Sequence, residues 1–120
     1  MLGSRLAALV IAFALMLGPA GAVAEEGFFS TVNDLPLMPG LSEIEAATTV
    51  FDKPGGRIVE AYAEGRAQPQ AIWRFYDRTL PQLGWQRRSR GRFVRDGELL
   101  SIQVTAAGQS RTVRFSIAPE

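Results

Sequence analysis

The apolar positions of this chain follow three patterns: one unbroken run, one helical stripe and several stretches of strict alternation. The stripe lies between Pro69 and Leu83. At about 100° per residue, Ile72, Tyr76, Leu80 and Leu83 share one face, with Phe75 and Trp73 at its edges. Gln70, Arg74, Asp77, Arg78 and Gln82 fall on the other face, so an amphipathic helix is predicted over 69–83. Pro69 suits the first helical position, where its missing N–H would be unpaired anyway. Pro81 removes a donor from the final turn, and Gly84 supplies the C-terminal cap.

Alternation lies on both sides of the helix. Thr48-Thr49-Val50-Phe51-Asp52 is β-branched and aromatic, and Lys53-Pro54-Gly55-Gly56 is a turn by composition. Arg57 to Glu64 follows as a second strand closed by Gly65, with Ile58, Glu60 and Tyr62 on one side and Val59, Ala61 and Ala63 on the other. Beyond the helix, Trp85 to Arg88 and Arg92 to Asp96 are joined by Ser89-Arg90-Gly91. Asp96-Gly97 is a strong two-residue hairpin signal, because both residues tolerate positive φ. Glu98 to Thr105 places Leu100, Ile102 and Val104 inward, and Ala106 to Ser110 forms a link. Arg111 to Ile117 sets Val113, Phe115 and Ile117 on one face against Arg111, Arg114 and Ser116 elsewhere. The order β-β-α-β-β-β-β, joined by hairpins, predicts an α+β fold: a two-layer sandwich of one antiparallel sheet with a single helix on one face.

The N-terminal part reads differently. Leu6 to Leu17 is the unbroken run, twelve apolar residues after the positive Arg5. Gly18-Pro19 then breaks it, and Ala22-Val23-Ala24 fits a small-x-small cleavage rule, so residues 1–24 read as a signal peptide cleaved near Ala24. A retained anchor is the competing reading, but a span needs about 20 apolar residues. Without a cysteine after the run, lipoprotein processing is excluded. Residues 25–33 have little periodicity and are expected to be a mobile leader before one domain over 34–120. In Asp34-Leu35-Pro36-Leu37-Met38-Pro39-Gly40 the prolines forbid a central strand while three residues want burial, which predicts an extended segment ending in a Pro39-Gly40 turn. Ser42 to Ala47 is ambiguous, one reading being a helical turn capped by Ser42.

Composition narrows the chemistry. There is no histidine and no cysteine, which removes the commonest general base, the best transition-metal ligand and the thiol nucleophile. No metal or cofactor is expected. Charge is uneven: residues 25–64 hold eight acids against Lys53 and Arg57, whereas residues 65–120 hold ten arginines against Asp77, Asp96, Glu98 and Glu120. Beyond residue 24 the two signs balance, so the overall basic footprint of a nucleic-acid binder is missing. Lys53, the only lysine, precedes a glycine-rich turn where it stays solvated and protonated, unsuited to a Ser–Lys dyad. Asp96 belongs to its turn, and Glu43 and Glu45 to a solvated surface. Among carboxylates, Glu60, with Tyr62 on the same strand side, is the one candidate for acid–base work.

One cluster stands above background: Arg87, Arg88, Arg90, Arg92 and Arg95, five arginines within nine residues. Arginine's planar fork matches phosphate and carboxylate groups, and Trp85 with Phe93 would supply flat neighbouring surface. The alternative is a solvated hairpin whose arginines turn back onto Glu43, Glu45 and Glu60. Trp73, Phe75, Tyr76 and Trp85 read as core packing, with Trp73 the most exposed.

The Pro39-Gly40 turn, the segment Phe75-Tyr76 followed by Leu80-Pro81-Gln82-Leu83-Gly84-Trp85, and the hairpin from Phe93 to Val104 carry a resemblance. The chain resembles small exported bacterial proteins of unassigned function with a Pro-Gly turn and an F-Y-x-x-x-L-P-x-L-G-W segment. Gln68 departs from the Ser or Thr cap expected before Pro69. The resemblance implies the fold and no activity. The expected function is a non-enzymatic binding or accessory domain of the bacterial envelope, periplasmic or secreted. It would meet an envelope protein or an anionic surface through Arg87, Arg88, Arg90, Arg92 and Trp85 of the hairpin and through the uncovered sheet face. A small carboxylate- and tyrosine-based enzyme, or a structural component tethered by an uncleaved N-terminus, are the alternatives.

Overall fold

Alternation over Gly56–Gly65, Glu98–Ala107 and Ser110–Pro119 becomes three ten-residue strands that form the middle of a seven-stranded antiparallel sheet. The computed structural model describes residues 27–120, so the signal-peptide reading of residues 1–24 lies outside the described residues. The elements in chain order are β1 (Ser42–Glu43), a 3-10 turn (Glu45–Ala47), β2 (Thr49–Lys53), β3 (Gly56–Gly65), α1 (Pro69–Gln82), β4 (Gln86–Ser89), β5 (Arg92–Arg95), β6 (Glu98–Ala107) and β7 (Ser110–Pro119). Across the sheet the strands run β1-β3-β7-β6-β5-β4, and β2 follows β1 along the same edge of β3. The α+β two-layer arrangement is the one the pattern predicts.

Ser42 does not cap a helix. It starts β1, and the short 3-10 turn that follows begins after Ile44. The link expected over Ala106 to Ser110 shrinks to Gly108-Gln109, because β6 and β7 pair as far as Ala107↔Ser110. Gly108 has φ 61°. At Asp96-Gly97 both residues have positive φ, 50° and 79°, as a type I′ turn requires.

One face of the sheet is closed. Val59, Ala61 and Ala63 of β3 stand opposite Ile117, Phe115 and Val113 of β7, and all six are buried. α1 covers them with Ile72, Tyr76 and Leu80, each worth about 1.5–3 kcal/mol of transfer from water. The aromatic rings interlock edge to face, Phe115 lying 5.2 Å from both Tyr76 and Phe29.

Phe29 corrects the expectation of a mobile leader. Phe29 is 2% exposed and Val32 3% exposed, and both belong to the core cluster together with Leu35 and Leu41. The segment lacks a period because it is a turn rather than a strand or helix: Leu35 N donates to Val32 O, Phe29 N to Leu35 O and Leu37 N to Gly27 O. Tyr76 pins it from below, its hydroxyl donating to Pro36 O at 2.8 Å and accepting from Met38 N at 3.3 Å. Burial raises the pKa of that phenol, so it stays protonated and keeps its donor. The second layer is therefore α1 plus this N-terminal segment. Pro39-Gly40 forms the expected turn, with φ 96° at Gly40. Gly65 lies against it so closely that a Cβ would come within 2.3 Å of Gly40 O.

The helix ends as Leu80-Pro81-Gln82-Leu83-Gly84-Trp85 dictates. Gly84 takes φ 92°, its N–H donates to Pro81 O, and Trp85 N–H reaches back to Leu80 O. This is a Schellman cap, with Trp85 buried beyond it. The start is weaker. Gln68 stands at the N-cap with no side-chain hydrogen bond, and the first turn carries no acid.

Candidate functional site

Parity along the strands decides where each arginine of the β4–β5 hairpin goes. Arg87 stands opposite Phe93 on the helix side, and its Nε donates to Asp77 Oδ1 of α1 at 3.1 Å. Arg88, at an irregularity between Arg87 and Ser89, meets Glu120 of the C-terminal end at 3.4 Å. Arg90 is at the turn, its guanidinium 5.3 Å from the centre of the Trp73 ring. Arg92 is exposed and forms no ion pair among the described residues. Arg95 faces inward, its Nη2 2.7 Å from Asp34 Oδ2 and its Nη1 donating to Leu83 O at 3.0 Å. The cluster that looked continuous in sequence thus divides among five different surroundings, one for each arginine.

Trp85 is a correction. At 2% exposure it is core, with the Arg95 guanidinium 4.2 Å from its ring centre. Phe93 is buried as well, so neither offers the flat surface expected of it. Trp73 supplies that surface instead. The β4–β5 turn is folded onto it: Gly91 is buried, and a Cβ there would lie 3.1 Å from the indole. Trp73, Gln70, Arg74, Asp77 and Arg90 line a shallow cavity of about 280 Å³. Its one carboxylate, Asp77, already holds Arg87. Beside it, Arg74 and Arg78 border a groove of about 410 Å³ floored by Met38, Ala71 and Phe75. Arg74, Arg78 and Arg90 are all exposed and form no ion pair among the described residues.

The arginines of the hairpin do not turn back onto Glu43, Glu45 or Glu60, but Arg95 does meet an acid of the N-terminal half, Asp34. Glu43 accepts from the backbone N–H and Oγ of Ser30, at 2.9 and 3.1 Å. Glu60 lies on the uncovered sheet face, gripped by Arg114 through Nε at 2.9 Å and Nη2 at 2.6 Å. That guanidinium holds the Glu60 carboxyl below the usual carboxylate range, so it is ionised and its lone pairs are engaged. As a proton donor near neutral pH Glu60 is poorly placed. Tyr62 stands opposite Arg114 on the same face.

Two features escaped the sequence reading. Asp34 bridges Arg57 and Arg95, and Arg57 also takes Glu98 through Nε at 2.8 Å and Nη2 at 3.1 Å. Arg111, grouped in the sequence pattern with Arg114, has the parity of Val113 and belongs to the covered side of the sheet. Strict alternation was the available signal for the strand residues among these, and there was none for Asp34. Arg57 keeps step with Val59, Arg95 with Phe93, Glu98 with Leu100 and Arg111 with Val113, so each extends the core face to its rim. Among the described residues no helix is long and apolar enough to cross a membrane, and no group of three acidic residues is placed to hold a metal ion. The chain matches no protein-family model, no curated protein and no solved structure.

Proposed function

We propose that this chain is an exported, non-enzymatic binding domain that docks on an anionic membrane surface of the bacterial envelope. The contact is the α1 face together with the tip of the β4–β5 hairpin. The observation that carries the reading is Arg90 stacked over Trp73 in a cavity that Arg74 also lines, where the one carboxylate, Asp77, is shared with Arg87 and leaves a net positive charge. Arg78, Phe75 and Met38 extend the same face. Aromatic rings that are partly wet, edged by arginines, suit the boundary between lipid headgroups and acyl chains. This moves the contact from the hairpin and the uncovered sheet face to the hairpin and the helix, and it replaces Trp85 by Trp73.

The test is sedimentation with vesicles of phosphatidylcholine alone and of phosphatidylcholine containing phosphatidylglycerol. Binding is expected only to the anionic vesicles and to weaken with salt. At about 1 kcal/mol per basic residue near the surface, Arg74→Gln with Arg90→Gln is expected to weaken it on the order of 30-fold. Equal binding by the double variant, or no preference for anionic vesicles, would overturn the reading. An intact mass beginning at Glu25 is the expected state of the protein recovered from its host. A mass that includes Met1 would favour the tethered alternative.

A further inference from the structure

A second basic site, which the membrane-facing reading does not use, lies at the end of the sandwich where β3 leaves for the helix. Arg66, Ala67, Gln68, Gly108, Gln109 and Arg111 line a cavity of about 380 Å³ there. The chain order brings them together. Gly65, the last residue of β3, pairs with Arg111 at the start of β7, and Gly108-Gln109 is the turn just before it. Two guanidiniums line this cavity and no carboxylate does.

Arg111 is held in place for this role. Its Nη1 donates to Ser110 O at 3.1 Å and Gly108 O at 3.3 Å, which fixes the guanidinium plane against the turn. Its Nε is shut off from solvent and has no hydrogen-bond partner among the described residues. Neither Arg66 nor Arg111 forms an ion pair among the described residues. Gln68 and Gln109 add neutral donors around the same space.

We infer that this cavity is a binding site for a phosphate-type dianion, either free phosphate or the terminal group of a small phosphomonoester. Two guanidinium charges with no protein counter-ion call for two negative charges, and arginine forks match the tetrahedral oxygens of phosphate. The volume sits at the low end of the roughly 300–1,000 Å³ of small-molecule sites, enough for a phosphate carrying a short organic tail.

The experiment is calorimetric titration of the full-length chain with inorganic phosphate, and separately with glycerol 3-phosphate, against sodium chloride of matched ionic strength. Saturable binding of at least one phosphate species and none of chloride is expected. Arg66→Gln and Arg111→Gln are each expected to weaken it at least tenfold, while Arg74→Gln with Arg90→Gln leaves it within twofold. Arg66 is exposed, so its variant keeps the fold even if Arg111→Gln does not. Arg111→Lys, keeping the charge without the fork, is expected to fall between. Tighter binding of glycerol 3-phosphate than of phosphate would identify a phosphomonoester as the ligand, and the reverse order the free ion. An Arg66→Gln dissociation constant within twofold of the parent, or heats that chloride reproduces, would overturn the site. Loss of binding in the Arg74/Arg90 variant with Arg66→Gln unaffected would overturn it in favour of the membrane face.

Discussion

The two ends of the covered layer are built from the same residue type and finished in opposite ways. At the end where α1 stops, Arg57 and Arg95 point inward from the strand rims and meet Asp34 and Glu98. Two cations and two anions neutralise one another there, and Arg95 also donates to Leu83 O at the negative end of the helix. At the end where α1 starts, Arg66 and Arg111 stand beside a helix terminus that is itself electropositive, uncapped by a side chain and without an acid in its first turn. One end holds its counter-ions and is structural. The other has the cations alone, and its charge is left for something outside the chain. The comparison teaches that an arginine's role here follows from the carboxylate it meets in space, since both ends draw on one arginine-rich sequence.

The strongest attempt to break this contrast removes the shared anion. Asp34→Ala leaves Arg57 with one carboxylate and Arg95 with no counter-ion, only the Leu83 carbonyl, and is expected to cost about 2 kcal/mol, discounted because the carboxylate is partly exposed. Urea denaturation measures it, with Arg111→Gln expected to cost well under half as much. Equal costs would mean both ends are structural.

Tyr76→Phe tests the anchoring of the segment that carries Asp34. Losing the hydroxyl strands Pro36 O and Met38 N, an expected cost of about 1–2 kcal/mol in the same assay. Amide exchange should also speed up at Phe29, Leu35 and Leu37, whose backbone donors close the turn.

Gln68→Asp sharpens the comparison by building an acid into the end that lacks one. A cap and a favourable dipole contact are expected to raise stability by about 1 kcal/mol. The same change should weaken phosphate binding by competing for Arg66 and Arg111. A stabilised variant with unchanged phosphate binding would separate the helix start from the cavity.

The smallest expected effect is in pH. Hydrogen bonding to Arg57 first, and then to Arg95, holds the Asp34 carboxyl below its ordinary 3.8. With a folded pKa below the unfolded one, the stabilisation is present in full above that value and lost as pH falls beneath it. Thermal melts from pH 5 to pH 2 should show this loss, and Asp34→Asn should flatten part of it. Glu60, held by Arg114, contributes in the same direction, so the variant will not remove the slope entirely.

Local pattern was enough for most elements. Helical and alternating periods, the Asp96-Gly97 turn and the Leu80–Trp85 helix end each depend on neighbours within a few residues, so the chain displays them directly. The core rows of β3, β6 and β7 followed from parity alone. Residues 27–33 were illegible for the converse reason: the burial of Phe29 depends on Phe115, and a turn stabilised by remote partners has no period to detect.

The arginines mark the division most sharply. Their number, their excess over lysine and their grouping after residue 65 are properties of composition, readable without a fold. Which of them are free is a matter of three-dimensional pairing. Asp34 reaches Arg95 across 61 residues of chain, and Glu98 reaches Arg57 across 41. A charge is neutralised by whatever lies within a few ångströms of it, and only the packing of β3, β7 and the N-terminal segment brings those carboxylates to some arginines and to others none.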